Sequence, residues 1–288
     1  MRKLLTLFIT ILLISCGKDK PAHDNVAAIH RKDSLTTALY NFYNQSHFNG
    51  LGVAISGADG NLYSKGFGFA DRADKKPYTE QTVQTIGSVS KTFIGLALLK
   101  AQEMGKLNLD DGVNKYLPFI LKNPNAGQAV ITIRHLATHT SGINDTKAYS
   151  KFNYVLYGND RGAYAGDEIM NLKDAFVPME ELLKEALTED GKYYSPDAWS
   201  VNKPGSRYVY TNFGAAIAAL ILEKATGIAY DAFVEQYIFH PIKMSNTHFN
   251  NKPEVAERMS VLYADSVTAI KPYWLITYPD GGGGQYGR

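Results

Sequence analysis

Residues 48–71 alternate apolar and polar side chains twice around a short break. FNGLGVAIS puts Leu51, Val53 and Ile55 on one face, Asp59-Gly60 supplies a tight turn, and NLYSKGFGFAD alternates again. That pattern predicts a β-hairpin. A lone hairpin is marginal in water, so the chain has to bring further strands or helices against it. Helical spacing offers several candidates. LTTALYNFYNQ carries Leu35, Leu39 and Phe42 on one stripe, Ser88 opens a helix that Gly105 stops, and MEELLKEAL forms another. AAIAALILEKATG reads as a buried helix capped by Gly227, and YDAFVEQYIF follows it. A hairpin ahead of a helix-rich middle predicts an α+β fold with an antiparallel sheet flanked by helices. The remaining sheet partners are expected from beyond those helices.

The bulk numbers permit such a core. With 288 residues, 45% hydrophobic and 12% aromatic, the chain can form one large domain or two small ones. Its 30 basic and 28 acidic side chains leave a formal charge of only +2, with no long basic run. No nucleic-acid partner is expected from that balance; a small-molecule or peptide substrate is.

The first residues are of a different kind. Arg2 and Lys3 precede an apolar run from Leu4 to Ile14, the layout of a secretory signal. The run is too short to cross a hydrocarbon core of about 30 Å as a helix. It ends at Ser15-Cys16-Gly17, and Cys16 is the only cysteine. This arrangement resembles the lipobox of bacterial lipoproteins, which implies lipidation of Cys16, a membrane partner through the lipid anchor and a cell-envelope location. The organisation expected is a signal peptide over 1–15, a polar tether over 16–32 and a folded domain over 33–288. Beyond Cys16 no cysteine remains for disulfides or thiolate chemistry.

Three Ser-x-x-Lys spacings occur, at Ser15, Ser88 and Ser200, where chance allows about one. Ser15 straddles the expected cleavage point, and Ser200 lies in a loop before Pro204. Ser88 alone sits at a helix start, where free N–H groups and the positive dipole end can stabilise an oxyanion. Lys91, one turn on, shares its face. The following residues, Thr92 to Leu99, are so apolar that the helix is expected to be buried on most sides. Burial would lower the pKa of the Lys91 ammonium, letting the amine take the serine proton or tune a neighbouring base. The plain alternative is an N-cap serine with a surface lysine.

Downstream, Pro204-Gly205-Ser206-Arg207-Tyr208-Val209-Tyr210-Thr211-Asn212 precedes the buried helix. In an extended segment Tyr210 and Asn212 project to the same side. A phenol beside an ammonium can act as base, and an amide can donate to a substrate carbonyl. Alternatively, Tyr210 packs in the core and Asn212 turns the chain into the helix.

Ser88-Val89-Ser90-Lys91 followed by Tyr210-Thr211-Asn212 resembles the serine β-lactamase and penicillin-binding-protein superfamily. The pattern is most similar to its class C branch, with the related D-alanyl-D-alanine carboxypeptidases and esterases. IRHLATHTSGI, residues 133–143, resembles that family's Leu-Leu-Thr-His-Thr-Ser-Gly-Leu segment. FHPIKMSNT, residues 239–247, resembles its Phe-x-Pro-Leu-Gly-Met-x-x-Thr, with Lys243 in place of the glycine. The resemblance implies a β-lactamase/transpeptidase-like fold and an acyl-enzyme mechanism on an amide or ester: a β-lactam, a D-Ala-D-Ala peptide or a small ester. Ser88 would attack, Lys91 and Tyr210 would share base and proton-return roles, and Asn212 would hold the lysine and the substrate amide. A non-catalytic penicillin-binding or sensing module, or a scaffold lipoprotein, is the alternative.

No cofactor or metal is expected. His135 and His139 stand four apart as in zinc-binding helices, but Leu136 occupies the position of the metalloprotease glutamate and no third ligand follows. Structural hydrogen bonding is the expectation for both. The family's third element, a Lys-Thr-Gly or His-x-Gly strand carrying the second oxyanion donor, is not found; Gly281–Gly284 resembles the glycine-rich segment that precedes the family's last quarter. The chain therefore resembles a C-terminally incomplete member, with little turnover expected of it as it stands.

Overall fold

The computed structural model describes residues 22–149, 154–156, 178–249, 255, 257–263 and 273–275. The signal segment, Cys16, the run Gly281–Gly284 and much of the aromatic stretch between Tyr149 and Trp199 lie outside the described residues.

Helix α1 spans Ala22–Gln45. It begins inside the stretch expected to be a tether, so residues 22–32 are helical instead. Ala27, Ala28, Arg31 and Lys32 are good helix formers, and their propensity extends the helix without needing an apolar stripe. Thr36 Oγ1, 3.0 Å from Tyr63 Oη, ties α1 to the sheet.

The hairpin forms as predicted. Strands β1 (Gly50–Gly57) and β2 (Gly60–Asp71) pair antiparallel, with Leu51 opposite Phe67 and Ile55 opposite Tyr63. Gly60 turns the chain at φ 111°, a conformation that favours glycine. A short β3 (Lys76–Pro77) adds to β2, giving the order β1-β2-β3. Chain from beyond the helices does return to β2 at one point, where Val261 N donates to Ala70 O, while beside it Val83 N donates to Arg258 O and Ser260 N to Val83 O. A second antiparallel pair joins β4 (Tyr154–Leu156) to β5 (Tyr273–Leu275).

Helix α2 (Lys91–Glu103) follows the 3₁₀ turn Gly87–Ser90. Ile94, Ala97, Leu98 and Ala101 are buried, but Leu96 and Leu99 remain 45% and 53% exposed. The expectation of burial on most sides is therefore corrected: the 3.6-residue period buries one stripe and leaves the other outward. Gly105, at φ 69°, ends the helix, with Gly105 N donating to Gln102 O and Lys106 N to Ala101 O, the paired bonds of a Schellman stop.

The core is built around α5 (Asn212–Thr226), which packs against α2, α3 (Ile133–Ala137) and α4 (Met179–Leu187). Every residue from Phe213 to Leu222 is buried. Gly227, at φ 75°, closes α5 with its N–H on Glu223 O. The helix that follows, α6 (Tyr230–Val234), runs on into a π turn over Glu235–Phe239. Mixed helices and antiparallel strands give the α+β fold expected.

Candidate active site

Three chain segments meet at the N-terminal ends of α2 and α5. The first is the 3₁₀ turn, which Gly87 enters at φ 51°. It leaves Ser88 exposed while Ser90, two residues on, is buried. The first N–H groups of such a helical start have no partner within the helix, although Val89 N donates to Ile86 O at 3.2 Å.

Lys91 Nζ donates to Ser88 Oγ at 3.1 Å, and Tyr210 Oη donates to the same oxygen at 2.7 Å. The ammonium also lies 5.2 Å from the centroid of the Tyr210 ring. Both side chains named from sequence thus converge on the candidate nucleophile. Lys91 is only partly buried, so the burial argument made for it does not hold. Tyr210 is 43% exposed, which rules out the core-packing alternative.

Asn212 departs further from expectation. It is the first residue of α5 rather than part of an extended strand, and Thr211 (φ −148°, ψ 133°) is the N-cap, accepting from Gly214 N at 3.2 Å. Thr211 itself is extended, so Tyr210 and Asn212 still face the same side. Asn212 Oδ1 lies 3.2 Å from Tyr210 Oη as a second acceptor for that hydroxyl. Its Nδ2 donates to Asp145 Oδ2 at 2.7 Å. The expected grip of Asn212 on Lys91 is thus replaced by bonds to Tyr210 and Asp145.

Asp145 is the residue that sequence reasoning passed over. Its carboxylate also accepts from Thr211 Oγ1 at 2.9 Å and from the backbone N–H groups of Asn212 and Phe213 at 2.8 and 3.0 Å. A carboxylate at a helix N-terminus satisfies orphan donors and meets the positive dipole end. The available signal was an acidic residue just after IRHLATHTSGI, a segment already singled out.

The two histidines serve that same scaffold. His135 Nδ1 accepts from Thr132 N while Thr132 Oγ1 accepts from His135 N, a reciprocal cap on α3. His139, at φ 53°, offers its carbonyl to Val209 N and its Nδ1 to Thr211 N, with its ring 4.8 Å from that of Tyr210. Burial pushes the His139 pKa down; Lys91 adds to this and Asp145 opposes it. Burial likewise lowers His135. These bonds bear out structural hydrogen bonding for the pair. Among the described residues no group of three or more His, Cys, Asp or Glu side chains could hold a metal. Gly205, at φ 84°, lets the chain pass His135: a Cβ there would lie 2.9 Å from His135 Nε2. Ser200 is tied to Asn202 by two hydrogen bonds, as befits the loop expected around it.

The geometry agrees with what the sequence is similar to. The Beta-lactamase family profile matches residues 29–286. Penicillin-binding protein 4* of Bacillus subtilis (strain 168) is 29% identical over 230 residues, covering 80% of this chain and 44% of that protein. The octameric penicillin-binding protein homologue from Pyrococcus abyssi superposes with a TM-score of 0.62 at 27% identity, over 82% of this chain and 48% of the other. A class C β-lactamase solved with cefoxitin shares the fold with a TM-score of 0.62 at 22% identity, over 90% of this chain and 62% of the other. The chain spans about half the length of the curated relatives it matches. On these grounds the chain belongs to the Beta-lactamase family, the serine β-lactamase and penicillin-binding-protein-like group.

Proposed function

We propose that this chain is a serine hydrolase that forms an acyl-enzyme through Ser88 on an amide or ester. The observation that carries the reading is the convergence of Lys91 Nζ and Tyr210 Oη on Ser88 Oγ at the start of a helix. In the acylation step Ser88 Oγ bonds to the carbonyl carbon as its proton passes to an unprotonated partner, Lys91 or Tyr210. The carbonyl π electrons move to oxygen, near the N–H groups at the start of the 3₁₀ turn. Collapse breaks the bond to the leaving group, which departs with the proton. Water then releases the acyl group by the same sequence. Asn212 holds the Tyr210 hydroxyl in register through Oδ1.

Substrates proposed are a β-lactam, a peptide of the D-Ala-D-Ala type or a small ester. Relatives named as penicillin-binding proteins and a class C β-lactamase support an acyl donor of this chemistry. We also propose that Cys16 carries a lipid anchor to a membrane of the cell envelope, supported by the apolar run Leu4–Ile14 ahead of it. Replacing Cys16 by serine should move the protein from the membrane to the soluble fraction; retention in the membrane would contradict the anchor.

Incubation with a fluorescent penicillin and with an activated ester tests the main reading. Turnover of either supports a hydrolase. A permanent adduct on Ser88 without turnover indicates a penicillin-sensing module, and absence of any adduct indicates a scaffold.

A further inference from the structure

We infer that Asp145 is a positioning residue that sets the polarity of the Asn212 side-chain amide and so keeps Tyr210 a proton donor towards Ser88. The inference rests on the acyl-enzyme reading above and deepens it.

An amide has one donor end and one acceptor end, and a carboxylate can only accept. Asp145 Oδ2 takes the donor end of Asn212 at 2.7 Å, so the acceptor end has to face Tyr210, where Oδ1 lies 3.2 Å from Oη. Asp145 cannot easily turn away, because Thr211 Oγ1 and the N–H groups of Asn212 and Phe213 hold it in place. Tyr210 therefore directs its single hydroxyl hydrogen between two acceptors, Ser88 Oγ and Asn212 Oδ1. The charged and titratable groups around the hydroxyl complete the picture. Lys91 approaches from α2, the His139 ring lies tilted 4.8 Å from the Tyr210 ring on the loop after α3, and Asp145 stands behind Asn212. The division of labour that follows makes Lys91 the proton acceptor in acylation. Tyr210 then returns a proton to the departing group.

Asp145→Asn tests this directly. Its new N–H would confront the N–H of Asn212, turning that amide so that a donor faces Tyr210. The phenolate is then favoured and donation to the leaving group is lost. The rate of Ser88 acylation by a fluorescent penicillin should fall about tenfold or more, as for a misplaced general acid. The falling limb of its pH profile, where the proton donor is lost, should move to lower pH. The swap Asp145→Asn with Asn212→Asp restores donor to acceptor, with an acceptor again on Tyr210. It should recover the wild-type pH profile and most of the rate. Circular dichroism melting is run on each variant, since a role confined to capping α5 would change melting and leave the profile of the folded fraction unmoved.

Acylation of D145N within about twofold of wild type at every pH overturns the inference while leaving Ser88 as nucleophile. If D145N does not fold, the double variant decides: recovery of rate and profile supports the role, and a loss as deep as that of N212A overturns it. No adduct on the wild-type chain overturns the acyl-enzyme reading and this role with it.

Discussion

Tyr210 Oη and Ser88 Oγ stand 2.7 Å apart across 122 residues of sequence. The contact depends on two helix starts meeting: the 3₁₀ turn before α2 presents Ser88, and the N-cap of α5 presents Tyr210 one residue ahead of it. Because α2 and α5 pack against each other and share one buried core that includes Ala97, Leu98 and Ile217, the core sets the geometry of the site.

Tyr210→Phe removes the hydroxyl and keeps the ring that lies against His139. Acylation should slow by about 10²–10⁴, the range of a positioned acid or base, with the melting temperature little changed. A rate within about threefold of wild type would show that Tyr210 is a bystander.

Lys91→Arg keeps a positive charge near Ser88 but replaces an amine that can exchange a proton with a guanidinium that stays protonated in proteins. Acylation should be lost to about the same degree as in Lys91→Ala. Retention of activity by the arginine variant alone would mean that charge, not proton transfer, is what Lys91 supplies.

His139 links stability to pH. Its pKa in the folded chain lies below the ordinary histidine value because of burial first and Lys91 second. Below about pH 6.5 the unfolded chain therefore binds more protons, so the stability His139 contributes is present above that pH and lost as pH falls through the folded value. The melting temperature of the wild type should fall more steeply on going from about pH 7 to pH 5 than that of His139→Asn, which tolerates positive φ and keeps an acceptor for Thr211 N. Parallel slopes would remove His139 from the account.

Lys243 occupies φ 60°, the left-handed region, and is exposed. Lys243→Gly relieves a cost of about 1–2 kcal/mol for the side chain and adds about 0.5–1 kcal/mol of chain entropy. Thermal melting should show a midpoint higher by about 2 °C. A lower midpoint would mean that the lysine side chain makes a favourable contact outweighing the strain.

Much of this was readable beforehand, for physical reasons. Alternation at 50–71 and the apolar run at 213–222 are local periodicities, so the hairpin and α5 were visible without partners. Ser88 with Lys91, and Tyr210 with Asn212, carry distinctive chemistry at short spacings, and the fold brought the two pairs together. Asp145 was not legible, since its meaning comes from a helix start 67 residues away. The exposure of Leu96 and Leu99 was equally hidden, because an apolar side chain does not reveal whether anything covers it. The helical character of residues 22–32 was missed because propensity without an apolar stripe gives no periodic signal.

The central claim is that Ser88 is the nucleophile. Intact-mass measurement and peptide mapping after treatment with a penicillin, on the wild type and on Ser88→Ala, test it most directly. The account predicts one acyl adduct mapped to Ser88 and none on the alanine variant. An adduct on another residue such as Ser200, or one that survives in Ser88→Ala, would contradict it.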